Sequence, residues 1–180
     1  MVQVFIDVSC GSELVSDGYP MAPAFENPEF EQVAFEVKSR MTVKGGEDFG
    51  ISCNVDEDAG EGATGDGEQA VEKVNDIVDA FQLVSLGSDK KFFKGYFASY
   101  MKSVLLPAVP EAEVAEFKTK IQSLFVKMMA EFENGELFQA EKANESEDPL
   151  KCMPIFAYWA GEEEAPRFVF FKHGLKVEKY

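Results

Sequence analysis

Val2, Val4, Ile6 and Val8 occupy every second position at the start of the chain, and this alternation predicts a strand over 2–8. Gly11 to Pro20 is turn-rich. Met21 to Glu29, interrupted by Pro23 and Pro28, reads as an irregular excursion. Alternation returns in Val33-Ala34-Phe35-Glu36-Val37-Lys38, a second strand. Val74 to Val84 is apolar and β-branched and predicts a strand, with a short helix as the competing reading. From Ser88 to Leu106 the period changes. Phe92/Phe93, Tyr96/Phe97, Tyr100/Met101 and Val104/Leu105 recur every four residues and line one face of a helix capped by Ser88. Pro107-Ala108-Val109-Pro110 stops it, and Pro110 opens a second helix carrying Val114, Phe117, Ile121, Leu124, Met128 and Phe132. Glu111 and Glu113 suit its first turn, and Asn134-Gly135 ends it. The short Pro-rich joint makes the pair an antiparallel helical hairpin over 88–133. Leu137-Phe138, Cys152 to Trp159 and Arg167 to Phe171 read as strands. Lys172-His173-Gly174-Leu175 reads as a tight turn from which Lys176-Val177-Glu178 pairs back. Strands flank the hairpin on both sides, so the expected class is α+β, one domain over 1–180, with a sheet drawn from both ends of the chain.

One stretch falls outside these periods. Between Lys44 and Lys73 there is no Lys, Arg or His, while nine acidic residues and seven glycines occur. Repelling charge and glycine disfavour a packed core, so 45–72 is expected to be a long, flexible acidic loop. The whole chain carries 17 Lys and Arg against 33 Asp and Glu, a net charge of −16. That balance argues against nucleic acid or an anionic membrane as a general partner. Charge is segregated. From Ser88 to Phe132 seven lysines face five acids, a local balance of +2. Solvated lysines on helix backs are the plain reading of that surface; a basic docking face is the other.

Cys10, Cys53 and Cys152 are odd in number and far apart, with no Cys-x-x-Cys, so neither a zinc knuckle nor a disulfide framework is expected. No apolar run approaches the roughly 20 residues of a membrane span. The N-terminus lacks the basic start and long apolar region of a signal peptide. The expectation is a reduced, cytoplasmic, mainly monomeric chain, with any export unconventional. Catalytic motifs are missing too: there is no phosphate-binding loop, no nucleophile elbow, and one histidine, His173, in a predicted turn. A binding protein is expected rather than an enzyme. Asn54, Asp56, Glu57 and Asp58 offer the hard oxygen ligands calcium takes, without the spacing of an EF-hand. Ordering a Gly-rich loop costs backbone entropy, so a calcium site there would be weak.

Four segments together resemble the translationally controlled tumour protein family: Ser12-Glu13-Leu14-Val15-Ser16-Asp17, Ile51-Ser52-Cys53-Asn54-Val55-Asp56-Glu57, Tyr96-Phe97-Ala98-Ser99-Tyr100-Met101-Lys102-Ser103, and Phe170-Phe171-Lys172-His173-Gly174-Leu175-Lys176-Val177-Glu178-Lys179. They run in order over nearly the whole chain. Ser52 and Cys53 stand where the family has paired glycines, and Asp56 where it has serine. The resemblance implies a tent-like mixed β core with a projecting helical hairpin and a flexible acidic loop. It implies calcium and tubulin binding, contacts with other regulatory proteins, and a link to growth and survival. It implies no zinc, because the paired cysteines of a similarly folded GTPase accessory protein are missing. Glu13 matches an acidic residue implicated in contact with a Ras-like small GTPase, and Asn54 and Glu136 match positions linked to calcium. Lys94, Lys102, Lys118, Lys120 and Lys127 on the hairpin would meet acidic tubulin tails. Three functions follow as expectations: a calcium- and microtubule-binding regulator, a nucleotide-exchange or accessory factor for a small GTPase, and a chaperone-like stress protein.

Overall fold

Three antiparallel sheets and a helical hairpin make up the computed structural model, which describes residues 2–43 and 73–179. The predicted acidic loop, with Cys53, Asn54, Asp56 and Glu57, lies outside the described residues.

A three-stranded sheet joins the two ends of the described chain. In it β1 (Gln3–Asp7) is central, between β2 (Glu13–Ser16) and β11 (Leu175–Lys179). A six-stranded sheet runs in the order β3 (Met21–Pro23), β4 (Ala34–Lys38), β10 (Arg167–Phe171), β9 (Ile155–Tyr158), β8 (Gly135–Ala140), β7 (Leu83–Gly87). The ribbon β5 (Met41–Val43) and β6 (Lys73–Asn75) is paired by itself. The short helix α1 (Asp76–Phe81) follows β6. The hairpin is α2 (Lys90–Tyr100) and α3 (Val114–Ala130). A π-helical turn, Met101–Leu105, and one α-turn, Leu106–Ala108, extend α2 before Val109 turns extended.

Every residue of β9 and β10 is buried, as expected for central strands covered on both faces. The hairpin covers one face: Phe97 packs on Phe171 at 5.5 Å between ring centroids, and Phe93 on Phe156 at 6.0 Å. Phe125 of α3 stacks on Phe97 at 4.8 Å, which locks the two helices together. The other face meets the small sheet through Phe5 on Phe35 (5.3 Å) and Phe35 on Phe170 (5.6 Å). Each buried ring contributes roughly 1.5–3 kcal/mol by leaving water, so the aromatic face of α2 is what seats the hairpin. Gly135 opens β8 because a Cβ there would lie 2.8 Å from the Phe156 ring.

One buried cluster of charge is built into the hairpin-facing side of the large sheet. Glu36 on β4 is 1% exposed. It accepts from the Tyr158 hydroxyl (2.5 Å), from the Phe25 N–H (2.7 Å) and from Arg167 Nη1 (2.8 Å). Arg167 also reaches Glu26 at 2.8 Å and Glu163 at 2.9 Å. Both Glu36 oxygens and the Nε and Nη1 of Arg167 are paired, which is the condition for tolerating buried charge.

Several sequence expectations need correction. Of the stretch 74–84 only its ends are strand, Val74–Asn75 in β6 and Leu83–Val84 in β7; the competing short helix forms between them, because Asn75 Oδ1 accepts from the N–H groups of Ile77 (3.0 Å) and Val78 (3.2 Å) and starts α1. Gln82, left-handed at φ 53°, ends that helix and releases β7. The helix cap is Asp89, accepting from Lys91 and Phe92, while the Ser88 hydroxyl donates to the Gly135 carbonyl instead. The turn-rich segment hides β2. The Pro-broken excursion contains β3 and two 3₁₀ turns, Ala24–Glu26 and Pro28–Phe30. Phe92, placed on the apolar stripe by spacing, is exposed. Leu175–Lys179 does not fold back on β10: a 3₁₀ turn at Lys172–Gly174 redirects it to β1.

Candidate functional site

Gly11, at φ +75°, lets the chain reverse after β1. Its N–H donates to the Asp7 carbonyl (2.9 Å), and the Asp7 N–H donates to the Ser12 carbonyl (2.8 Å). The reversal sets β2 so that Leu14 and Val15 are fully buried while Glu13 stands exposed. Glu13 therefore lies on the rim of a cleft of about 360 Å³, together with Ser12, Gln82, Glu141, Lys142 and Lys176. Gln82 joins the two walls: its carbonyl accepts from the Glu141 N–H at 3.0 Å. Lys176 pairs with Glu178 at 3.7 Å. A cleft with carboxylates and ammoniums in one lining can offer complementary charge to a polar loop of a partner, and it lacks the apolar enclosure of a small-molecule pocket. On the opposite side of β1, a more apolar cleft of about 460 Å³ is lined by Phe5, Met21, Phe35, Leu175 and Val177.

The other predicted residues separate into groups. Glu136 is half-buried on β8, where the Ser85 hydroxyl of neighbouring β7 donates to its Oε2. It is the one member of the expected calcium set among the described residues. Lys94, Lys102 and Lys118 are exposed and form no ion pair with a described residue. Lys120 is half-buried, bonded to Gln32 Oε1 at 2.6 Å and paired with Glu116 at 3.0 Å. Lys127 pairs with Glu131 at 3.5 Å and lies 5.7 Å from the centroid of the Phe25 ring. The five lysines thus split: two tie α3 to its surroundings, and three are left to solvent.

His173 packs edge-on against Phe117 at 4.9 Å, and its Nδ1 has no hydrogen-bond partner among the described residues. Burial holds its pKa below the usual histidine value, against the opposing pull of Glu113. Its setting is that of a packing residue.

Gln82, Lys142 and Lys176 escaped the sequence reading. Gln82 sits at the end of the helix misread as strand, where Asn75 before Asp76 was the available cap signal. Lys176 reaches the cleft only because β11 pairs with β1, a long-range choice with no local signal.

The family model for translationally controlled tumour protein matches residues 2–176. A translationally controlled tumour protein homologue of Plasmodium chabaudi chabaudi is 39% identical over 99% of this chain and 100% of its own length. The homologue of Plasmodium yoelii yoelii is 38% identical with the same coverage. Among solved structures, the translationally controlled tumour-associated protein p23fyp of Schizosaccharomyces pombe superposes with a TM-score of 0.72 at 27% identity, covering 99% of both chains. By these matches across essentially its full length, the chain belongs to the translationally controlled tumour protein family.

Proposed function

We propose that this chain is a non-catalytic regulatory protein of the cytoplasm that docks acidic protein segments, tubulin tails among them, and takes calcium weakly. The observation that carries the reading is the trio Lys94, Lys102 and Lys118. These lysines stay exposed and without an ion pair to any described residue, although acids outnumber bases two to one in the chain. Such cations meet an acidic tail at little desolvation cost and should give a salt-sensitive contact. Calcium would engage the side-chain oxygens of Asn54, Asp56 and Glu57 in the acidic stretch, with Glu136. Microtubule co-pelleting tests the first part. The triple reversal K94E/K102E/K118E should weaken binding at least tenfold at about 0.05 M salt and make little difference at about 0.5 M. Binding indifferent to both salt and charge reversal sinks it. An NMR calcium titration tests the second: saturable shifts confined to the region of Asn54 and Glu136 are expected, and small shifts spread over all carboxylates would refute a site.

A second reading, contact with a Ras-like small GTPase, draws on Glu13 at the rim of the charged cleft. An exchange or accessory factor works by preferring one nucleotide state of its partner, so it needs a shaped surface and no catalytic group. GDP release accelerated by the protein, and not by its Glu13→Ala variant, is the expected result. Equal rates with both would remove the role of Glu13. The client-holding alternative has little surface to use, since the large exposed apolar residues of the described hairpin are Phe92 and Val126.

A further inference from the structure

Folding brings together two cysteines that the sequence holds far apart. Cys152, in the connection leading to β9, is buried, and Cys10, in the turn after β1, is half-buried. With Asp7, 1% exposed at the end of β1, they form a cluster whose ligand atoms all lie within 4.8 Å of one another. We propose that Asp7, Cys10 and Cys152 form a binding site for one thiophilic divalent cation of the zinc class.

The donor set decides the class. Two thiolates and one carboxylate match zinc-type sites, in which three protein ligands leave a fourth position open, whereas calcium takes oxygen ligands throughout. Ligand bonds of about 2.3 Å to sulfur and 2.0–2.2 Å to oxygen put tetrahedral ligands roughly 3.5–3.8 Å apart. The widest pair in the cluster must therefore tighten by about 1.0–1.3 Å at most, which rotation of the part-exposed Cys10 side chain can supply.

The surroundings hold the ligands as metal sites require. Asp7 Oδ1 accepts from the Ser9 N–H at 2.7 Å, and Oδ2 accepts from the Met153 N–H at 2.7 Å, so the carboxylate is fixed while each oxygen keeps a lone pair. The Cys10 thiol donates to the Ser12 hydroxyl at 3.4 Å. Tyr96 of α2 donates to the Cys152 carbonyl at 2.5 Å, fixing that residue from the hairpin side. A bound cation displaces the two thiol protons and sets positive charge beside the Asp7 carboxylate. The absence of Cys-x-x-Cys excludes a knuckle, but it cannot exclude a pair assembled by the fold.

Cobalt(II) is the probe. Reduced full-length protein carrying Cys53→Ser, so that only these two thiols remain, is titrated anaerobically and followed by absorption. A thiolate-to-cobalt charge-transfer band is expected, saturating at one cobalt per chain and lost when one equivalent of zinc is added. Cys10→Ser and Cys152→Ser should each abolish the band at the same cobalt concentration. Asp7→Asn should weaken cobalt binding at least tenfold. Because Asp7 also holds two backbone N–H groups, the serine variants, with native circular dichroism, are the decisive ones. No band at a hundredfold excess of cobalt overturns the proposal. So does a band that survives either serine variant, or one that saturates at half a cobalt per chain.

Discussion

Replacing Arg167 by Met isolates what the buried charge cluster is worth. Arg167 contacts three carboxylates, of very different value. Glu26 and Glu163 have side chains 63% and 33% exposed, so solvent screens their pairs with Arg167 and these add little. Glu36 is 1% exposed, and removing its guanidinium leaves a carboxylate in the interior with only the Tyr158 hydroxyl and the Phe25 N–H. Breaking such a pair costs about 3–5 kcal/mol. At about 2–4 °C per kcal/mol for a chain of this size, R167M should melt about 6–20 °C below wild type. The double variant E36Q/R167M distinguishes the cause. Gln keeps an acceptor for Tyr158 and Phe25 while removing the charge, so it should recover about 2 kcal/mol or more of the loss. Urea denaturation of the three proteins measures both free-energy differences. If the double variant is no more stable than R167M, the loss comes from missing Arg packing and not from a stranded charge.

Gly174 predicts a second rescue. A Cβ at this position would collide with the Tyr100 hydroxyl oxygen, so Gly174→Ala should cost about 1–3 kcal/mol. That hydroxyl is buried with no partner among the described residues, so Tyr100→Phe should be neutral or stabilising by about 1 kcal/mol and should relieve G174A in the double variant. His173, the sole histidine, has a lowered folded pKa, so it contributes stability that is complete above its unfolded value of 6.5 and is lost as pH falls below it. Denaturant midpoints taken between about pH 7.5 and 5.5 should fall less steeply in His173→Gln; an unchanged slope refutes that assignment. Asn75→Ala removes the cap of α1 and the 2.8 Å bond to the Ser39 hydroxyl, and should cost about 1–2 kcal/mol by thermal melting.

What was legible in the chain was what repeats locally. The four-residue spacing from Phe93 to Leu105 marks a helix because the apolar face is set within one element, and Phe93, Tyr96, Phe97 and Tyr100 are indeed its buried face. Alternation located β1 and β4 for the same reason. The reading failed where one residue outweighed the pattern: Asn75 turns a β-branched run into a helix by capping it, and Gln82 stops that helix by adopting a left-handed backbone. It failed also where pairing is chosen at long range. Nothing near Leu175 says that β11 belongs to β1 and not to β10. The cleft beside Glu13 and the meeting of Cys10 with Cys152 depend on such choices, so neither could be read from spacing. Glu13 and the hairpin lysines were reached through family resemblance, and the exposure of Glu13, Lys94, Lys102 and Lys118 is compatible with the roles proposed for them.

The pairing of β1 with β11 also sets a clock. Gln3 lies opposite Lys179, and Asp7 opposite Leu175. At about 5–20 residues per second of synthesis, β1 emerges and then waits on the order of 10–30 s before its second partner exists. During that interval β1 has only β2, and a two-stranded ribbon is marginal in water. One edge of β1 is then an unpaired row of N–H and C=O groups, open to any extended segment nearby. The nascent chain is most exposed to mispairing at its beginning, and its last strand is the one that ends the hazard.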